Sequence, residues 1–268
     1  MPQPNQITPA QLMRLIGTPD APTILDVRIP EDVTRDPRLI PGSHQRPHDQ
    51  IAAPILMEAG STRRTVVVCA MGRKLSEGVA AILRCQNTPA EVLEGGAVAW
   101  AQSGLPMTPI AHRPPGSLWV TRHRPKIDRI ACPWLIRRFV DPGARFLFVA
   151  PAEVQAVADR FNATPFDIEN CFYSHRGDRC TFDTMLDHWS LRTDALQILS
   201  TVIRAADTNS HDLSPQAAGL LAISVGLSRQ FRDDLQQMGA GMHIYDALYR
   251  WARDGQDEGH DWPAGRSV

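Results

Sequence analysis

Residues 65–74 read Thr-Val-Val-Val-Cys-Ala-Met-Gly-Arg-Lys, and residues 75–84 continue as Leu-Ser-Glu-Gly-Val-Ala-Ala-Ile-Leu-Arg. The β-branched run is typical of a buried strand, and the second stretch has the composition of a helix. Cys69 therefore stands where a strand ends and a helix begins. Unpaired N–H groups and a partial positive charge at a helix N-terminus favour the thiolate over the thiol. The pattern predicts a loop that binds an anion beside a reactive cysteine.

The residues after Cys69 suit the same role. Arg73 and Lys74 add two positive charges, and Gly72 allows the loop to curl so that its N–H groups converge. We therefore predict Cys69 as the nucleophile, with an anionic substrate bound by the loop residues Ala70, Met71, Gly72, Arg73 and Lys74. The alternative is a buried cysteine that serves as a small apolar side chain.

Further short elements flank this stretch on both sides. Residues 24–28 and 92–95 are apolar runs that predict strands, and residues 9–16 and 97–103 predict helices. Alternating strands and helices predict a small α/β domain with a mainly parallel sheet. Cys69 then lies at the carboxyl end of a strand, where open α/β sheets place their ligands.

Four motifs in this half resemble the rhodanese (sulfurtransferase) domain. They are Asp26-Val27-Arg28, Ile40-Pro41-Gly42-Ser43, the loop from Cys69 to Lys74, and Leu93 to Trp100 followed by Gly104-Leu105-Pro106. The resemblance covers residues 5–110 and adds Asp26 and Arg28 to the expected substrate-binding residues. It implies that Cys69 accepts a sulfane sulfur from a small anionic donor, becomes a persulfide, and passes the sulfur to a thiol acceptor without a cofactor.

Two departures from the rhodanese pattern leave the sulfur donor open. The acidic-aromatic pair usual after Asp-Val-Arg is replaced by Glu31-Asp32-Val33, and the loop reads Ala-Met-Gly-Arg-Lys rather than a better-known donor-selective sequence.

The second half of the chain has a different organisation. Residues 107–116 are rich in proline and predict an extended connector, so we place domains at 1–110 and 117–268 with a linker at 111–116. After the linker the chain predicts a mainly helical α+β domain. Its expected strands are 118–122 and 145–149, and its expected helices include 133–140, 152–161 and 239–251, with nearly continuous helix after residue 181.

Four segments of this half resemble the C-terminal domain of the chromate-resistance protein family, the ChrB type. They begin at Asp128 (Asp-Arg-Ile-Ala-Cys-Pro-Trp-Leu-Ile-Arg-Arg-Phe), at His175 (His-Arg-Gly-Asp-Arg-Cys-Thr-Phe), at Ala206 (Ala-Asp-Thr) and at Gly241 (Gly-Met-His-Ile-Tyr-Asp-Ala-Leu-Tyr). The resemblance implies a link to chromate resistance. It leaves a second function open, a chromate-binding or oxyanion-binding sensor or regulator with a vestigial rhodanese domain.

Two kinds of site are candidates in the second domain. Arginine side chains suit a tetrahedral oxyanion, and those available are Arg122, Arg129, Arg137, Arg138, Arg176 and Arg179. The alternative for them is surface ion pairing with Asp128, Asp178 and Asp183. A metal ion is the other candidate, with donor atoms on His175, Cys180, Asp183 and Asp207.

Two smaller predictions concern the helices of this domain. Cys132, directly before Pro133, would be a helix N-cap with a lowered pKa, but its apolar neighbours Ile130, Ala131 and Trp134 favour a structural thiol. Tyr245 and Tyr249 lie four residues apart on one helix face, a spacing typical of packing against a neighbour.

Composition bounds the remaining possibilities. A chain of 268 residues suffices for two cores, and a net charge of −1 gives no electrostatic case for a nucleic-acid partner. The longest apolar stretch, 217–227, has about half the length of a membrane span, and the first residues lack a secretory pattern. Five cysteines without regular spacing argue against a disulfide framework. We therefore expect a cytoplasmic protein that binds no membrane.

Overall fold

The structure, a computed structural model, describes residues 5–50, 64–114 and 116–259. The chain divides into two compact units. The N-terminal unit comprises Met1–Ser117 together with the later segments Leu135–Arg145 and Asp187–Leu191. The C-terminal unit comprises Leu118–Trp134, Phe146–Leu186 and Arg192–Val268.

A parallel sheet forms the centre of the N-terminal unit. The strands of this unit are β1 (Gln6–Ile7), β2 (Thr23–Asp26), β3 (Arg38–Leu39), β4 (Ser43–Gln45), β5 (Thr65–Val68), β6 (Ala90–Leu93) and β7 (Thr108–Pro109). Five of them pair in parallel in the order β1-β6-β5-β2-β4, and β3 pairs with β7 in an antiparallel ribbon. The central position of β5 explains why all four of its residues are buried. The predicted parallel-sheet α/β architecture is confirmed.

Helices α1 (Pro9–Leu15), α2 (Pro30–Arg35), α3 (Lys74–Cys85) and α4 (Gly96–Gln102) connect these strands. Thr8 caps α1 in a reciprocal capping box with Gln11, which confirms the predicted start of that helix. Helix α3 starts at Lys74, one residue before the predicted start, and buries Val79 and Leu83 against β5 and β6. The strand β5, the loop and α3 thus follow one another as the sequence predicts.

The C-terminal unit is rich in helix. Strands β8 (Leu118–Arg122), β9 (Arg145–Val149) and β10 (Thr164–Pro165) form a sheet in the order β10-β8-β9. The helices that follow β8 are α5 (Asp128–Leu135), α6 (Val154–Phe161), α7 (Thr181–His188), α8 (Asp194–Asp207), α9 (Gln216–Gln230) and α10 (Asp234–Asp254). The predicted helix-rich α+β composition is confirmed, and both long strands have the predicted bounds.

Two predicted helix boundaries are wrong. The helix expected to begin at Pro133 begins at Asp128 and continues into a π-helical turn at Ile136–Val140. Pro133 therefore lies inside a helix, where it removes its own N–H group from the ladder without ending the helix. Helix α10 begins at Asp234, with Asp233 as its N-cap, five residues before the predicted start.

A glycine and two tyrosines pack α10 within the C-terminal unit. A Cβ atom at Gly241 would lie 2.7 Å from Ile130 Cγ2, so the missing side chain permits the close approach of α5. Tyr245 and Tyr249 are buried, and their rings lie 6.4 and 5.5 Å from the ring of Trp134. The packing role predicted for the two tyrosines is confirmed.

Within the described residues, no helix combines the length and apolar character that crossing a membrane requires.

Two glycines fix the loop that follows β5. Gly72 and Gly96 both have φ +63°, in the left-handed region. A Cβ atom on Gly96 would lie 2.2 Å from the carbonyl oxygen of Cys69 and 2.5 Å from the nitrogen of Gly72. The N–H groups of Ala97 and Val98 donate to the carbonyl oxygens of Cys69 and Ala70, each at 3.0 Å. The start of α4 therefore supports the Cys69 loop directly through the backbone.

We predict that Gly96→Ala destabilises the protein by about 3 kcal/mol or more, because the added Cβ overlaps backbone atoms that cannot move independently. Gly104→Ala is the matched control, since Gly104 also has a positive φ, +67°, but no atom within 4 Å of its Cβ position. That variant should lose only about 1–2 kcal/mol from backbone strain. The urea midpoints of the three proteins measure this difference, and equal losses in the two variants would contradict the packing argument.

Candidate functional site

Cys69 lies between the end of β5 and the start of α3. The backbone N–H of Arg73 donates to its Sγ atom at 3.3 Å, and the Oγ atom of Ser76 lies 3.1 Å from the same sulfur. Ser76 also donates to the carbonyl oxygen of Arg73 at 3.0 Å. The residue is 5% exposed and packs against the apolar cluster that includes Val67 and Val79. The thiol thus has an apolar side and a side of hydrogen-bond donors.

These contacts determine the charge state of the thiol. Burial alone raises the pKa of Cys69, but hydrogen bonds from the Ser76 hydroxyl and from the N–H groups of Arg73, Ser76 and Met71 outweigh it, so the pKa is lowered. The same hydrogen bonds stabilise negative charge on sulfur. The arrangement therefore favours the thiolate form of Cys69 at a helix N-terminus.

The rest of the predicted loop surrounds the sulfur on the solvent side. Ala70 and Gly72 are partly exposed, while Met71 is 47% exposed. Arg73 and Lys74 are also exposed, at the first turn of α3. Their positive charges add to that of the helix N-terminus, which favours the approach of an anion. Contact of these residues with a substrate stays a prediction.

Asp26 and Arg28 form a buried ion pair at the end of β2. The Nη2 atom of Arg28 lies 2.7 Å from Oδ2 of Asp26. The guanidinium also donates to the carbonyl oxygens of Asp36 and Arg38, at 3.1 and 2.7 Å. The pair therefore fixes the chain after β2, because breaking a buried, hydrogen-bonded ion pair is costly. Its predicted role in binding substrate remains a prediction.

A second cluster of ionisable side chains lies in the C-terminal unit. Asp128 opens α5, Asp167 follows β10, His175 precedes α7, and Asp207 ends α8. The Nε2 atom of His175 lies 3.1 Å from an oxygen of Asp207, 3.5 Å from one of Asp167 and 3.6 Å from one of Asp128. The donor atoms of Asp128, His175 and Asp207 all lie within 4.8 Å of one another. This is the set of side chains in the described residues that has the spacing of metal ligands.

The composition of this cluster differs from the metal set predicted from sequence. His175 and Asp207 belong to the cluster. Cys180 and Asp183 instead form a hydrogen bond with each other, in which the Cys180 N–H donates to Asp183 at 3.1 Å. Asp183 also accepts hydrogen bonds from Ser200 and Arg204. Sequence reasoning treated Asp128 only as a surface ion-pair partner and did not single out Asp167. The position of Asp128 at the head of a family motif was the available signal.

Charge and burial set the protonation of the cluster. Burial is the main reason that the pKa of Asp128 is raised to about 7. The carboxylates of Asp128, Asp167 and Asp207 around the imidazole raise the pKa of His175 to about 12. Cys132 and Cys180 are fully buried nearby, and burial raises the pKa of both thiols. Cys132 lies inside α5 rather than at its N-cap, so the N-cap alternative is wrong, and its burial agrees with the structural role that the sequence favours.

The six candidate arginines do not form one site. Arg122 and Arg129 both pair with Asp167, at 3.1 and 3.3 Å, and Arg179 lies 3.7 Å from Asp183. The guanidinium of Arg176 lies over the ring of Phe172 at 5.0 Å. Ion pairing, the alternative left open above, therefore describes Arg122, Arg129 and Arg179.

Arg137 and Arg138 belong to the N-terminal unit instead. They line a cavity of about 310 Å³ together with His44 and Gly42. Burial, followed by the positive charge of Arg113, lowers the pKa of His44, so the imidazole favours its neutral form.

Sequence comparison identifies both parts of the chain. Residues 8–103 match the family described as the rhodanese-like domain, which agrees with the parallel sheet and the Cys69 loop. Residues 119–252, half of the chain, match the family described as ChrB, C-terminal domain. The chain therefore belongs to the ChrB C-terminal domain family and carries a rhodanese-like domain before it.

One relative is "Protein ChrB" of Cupriavidus metallidurans, which is 33% identical over 135 residues. The match spans 50% of this chain but only 40% of the length of that protein. Among solved structures, a rhodanese-related protein from Thermoplasma volcanium is 25% identical over 38% of this chain and 96% of its own, with a TM-score of 0.33. A rhodanese-like domain protein from Staphylococcus aureus is 30% identical over 36% of this chain and 90% of its own, with a TM-score of 0.31.

We predict that Ser76→Ala moves the alkylation profile of Cys69 to higher pH. The variant loses a hydroxyl that lies 3.1 Å from the sulfur, and a hydrogen bond to a charged group contributes enough to slow alkylation about tenfold at the acid end of the profile. Iodoacetamide labelling, read at the Cys69 peptide by mass spectrometry, measures the rate at each pH. Ser103→Ala is the control, because that hydroxyl donates only to the Ala99 carbonyl. An unchanged profile in Ser76→Ala would show that the hydroxyl does not stabilise the thiolate.

Proposed function

We propose that the protein is a sulfurtransferase that carries a sulfane sulfur as a Cys69 persulfide. The observation that supports this most directly is the hydrogen bonding of the Cys69 sulfur at the start of α3, with Arg73 N–H at 3.3 Å and Ser76 Oγ at 3.1 Å. Those contacts lower the pKa of the thiol and supply the reactive thiolate without a paired histidine. The match to the rhodanese-like family supports the same assignment.

The first half-reaction loads the cysteine. The Cys69 thiolate attacks the outer sulfur of a small anionic donor such as thiosulfate, forming one S–S bond while the donor's own S–S bond breaks. The leaving group, sulfite in that case, departs with the electron pair of the broken bond. Negative charge then resides on the outer sulfur of the persulfide. Arg73 and Lys74 are exposed beside the loop, where their charge favours the entry of an anionic donor.

The second half-reaction transfers the outer sulfur of the Cys69 persulfide to an acceptor. A thiolate acceptor attacks the outer sulfur, the S–S bond to Cys69 breaks, and the electron pair of that bond regenerates the Cys69 thiolate. The acceptor leaves as a persulfide, so the cycle needs no external oxidant or reductant. Transfer through a covalent enzyme intermediate gives ping-pong kinetics.

We predict that Cys69→Ser abolishes both the persulfide and sulfur transfer to a thiol, because the serine hydroxyl has no comparable nucleophilicity at neutral pH. Intact mass spectrometry after incubation with thiosulfate or mercaptopyruvate reports the added sulfur atom, and the two donors are compared separately. Cys85→Ser is the matched control, since Cys85 is an exposed free cysteine at the end of α3. Full transfer activity in the Cys69→Ser protein would overturn the proposal.

Binding of a tetrahedral oxyanion such as chromate or sulfate is the second candidate function. It is favoured by the cavity that Arg137 and Arg138 line in the N-terminal unit, and by the match to the ChrB C-terminal domain family. Arginine side chains beside a neutral His44 would leave this cavity positively charged.

If this second function holds, Arg138→Ala should weaken chromate and sulfate binding about tenfold, by removal of one charge-assisted hydrogen bond. Calorimetric titration is done with the full chain carrying Cys69→Ser, so that the reactive thiol takes no part. The control is Arg145→Ala, which removes the same charge from an exposed position outside the cavity. Equal affinity in both variants would exclude this cavity as the oxyanion site.

A further inference from the structure

A single hydrogen bond from His175 does not explain why three carboxylates lie around its Nε2 atom in the C-terminal cluster. A histidine Nε2 carries one N–H group, which donates to one well-aligned acceptor. The oxygen of Asp207, at 3.1 Å, is within hydrogen-bonding range, but those of Asp167 and Asp128, at 3.5 and 3.6 Å, are beyond it. Three carboxylates nevertheless surround the same nitrogen.

The same distances fit the coordination shell of a metal ion. Nitrogen and oxygen ligands bound at about 2.1 Å lie about 3.0–3.4 Å from one another in octahedral or tetrahedral geometry. The His175 nitrogen lies 3.1–3.6 Å from an oxygen of each of the three carboxylates. The donor atoms of Asp128, His175 and Asp207 all lie within 4.8 Å of one another. A small contraction toward a central ion would bring all of them to bonding distance.

Two of the carboxylates also accept hydrogen bonds from the start of α7, as metal ligands often do. Asp128 accepts hydrogen bonds from the N–H groups of Thr181 and Phe182 at the start of α7, at 2.6 and 3.3 Å. The hydroxyl of Thr181 donates to Asp167 at 3.0 Å. Outer contacts of this kind orient ligating side chains and fix which oxygen faces the metal.

Charge at the cluster favours a cation. Asp128 and Asp167 have side chains that are 1% and 8% exposed, and Asp207 is 18% exposed. Arg122 and Arg129 both contact the Oδ2 atom of Asp167. His175 faces the Oδ1 atom of Asp167 and one oxygen each of Asp128 and Asp207. Buried carboxylates of this density need compensating positive charge. The 40% exposure of the His175 side chain gives an ion access from solvent.

We propose that Asp128, His175 and Asp207, with Asp167 beside them, bind one divalent transition-metal ion. One imidazole and several carboxylates form a borderline-to-hard ligand set, which suits Mn²⁺, Fe²⁺ or Zn²⁺. The neighbouring thiols are outside this ligand set, since the Cys180 thiol donates to Asp183 and the Cys132 thiol lies 4.0 Å from Asp128 Oδ1. The four residues lie in the C-terminal unit, whereas Cys69 belongs to the N-terminal unit.

The test uses Mn²⁺ as its probe, because this hard ion has little affinity for the thiolate of Cys69. The full, tag-free chain is titrated with Mn²⁺, and electron paramagnetic resonance measures the free ion. We expect one Mn²⁺ per chain. His175→Ala and Asp207→Asn should each weaken binding about a hundredfold or more, since even outer-contact substitutions cost up to that amount. His243→Ala and Asp178→Asn are matched controls at exposed positions outside the cluster.

The melting temperature distinguishes a variant that has lost a metal ligand from one that no longer folds. Mn²⁺ should raise the melting temperature of the wild-type chain and of the controls, but not of the His175→Ala or Asp207→Asn variants. No binding by the wild-type chain, or equal binding by the His175→Ala variant and its control, would overturn the proposal.

Discussion

The close backbone contact between Gly96 and the Cys69 loop is the constraint on which the N-terminal site depends. The carbonyl of Cys69 lies so near Gly96 that a Cβ atom there would be 2.2 Å away, and the next two N–H groups of α4 bond to the loop carbonyls. Because the start of α4 binds the carbonyl groups of Cys69 and Ala70, the N–H groups of the loop point toward the sulfur of Cys69. The same backbone arrangement therefore gives both the fold of the loop and the lowered pKa of the thiol.

The two candidate sites are built in different ways. The Cys69 site comes from eight consecutive residues, 69–76, and its stabilising groups are mostly backbone dipoles. The C-terminal cluster comes from four segments separated in sequence, and its groups are charged side chains. Backbone dipoles stabilise one negative charge without adding a competing acid or base. Burial, together with the neighbouring carboxylates, instead raises the pKa of Asp128, and His175 offsets part of that effect.

This difference explains how much could be predicted from the sequence. The strand β5, the loop and α3 are contiguous, so β-branched residues, a glycine and a helical pattern were sufficient to locate Cys69. The motifs that resemble the family located His175 and Asp207. The side chains that contact them depend on how α5, α7 and α8 pack together, which a local sequence pattern does not reveal. Pro133 illustrates this limit. Proline usually occurs at the start of a helix, but Pro133 lies inside α5, and the N-cap position considered for Cys132 was wrong for that reason. Asp183 likewise lies outside the cluster, because it accepts hydrogen bonds from Ser200 and Arg204 on a different helix.

The hydroxyl of Ser76 has a single proton and two acceptors, the sulfur of Cys69 and the carbonyl of Arg73. A charged sulfur attracts that proton, and a neutral thiol releases it to the carbonyl. In a persulfide the charge moves outward by one atom, away from the hydroxyl, so the hydrogen bond that closes the first turn of α3 re-forms. If Cys69 carries sulfur as we propose, the start of α3 would differ between the free and the sulfur-bearing cysteine by the rotation of one O–H bond.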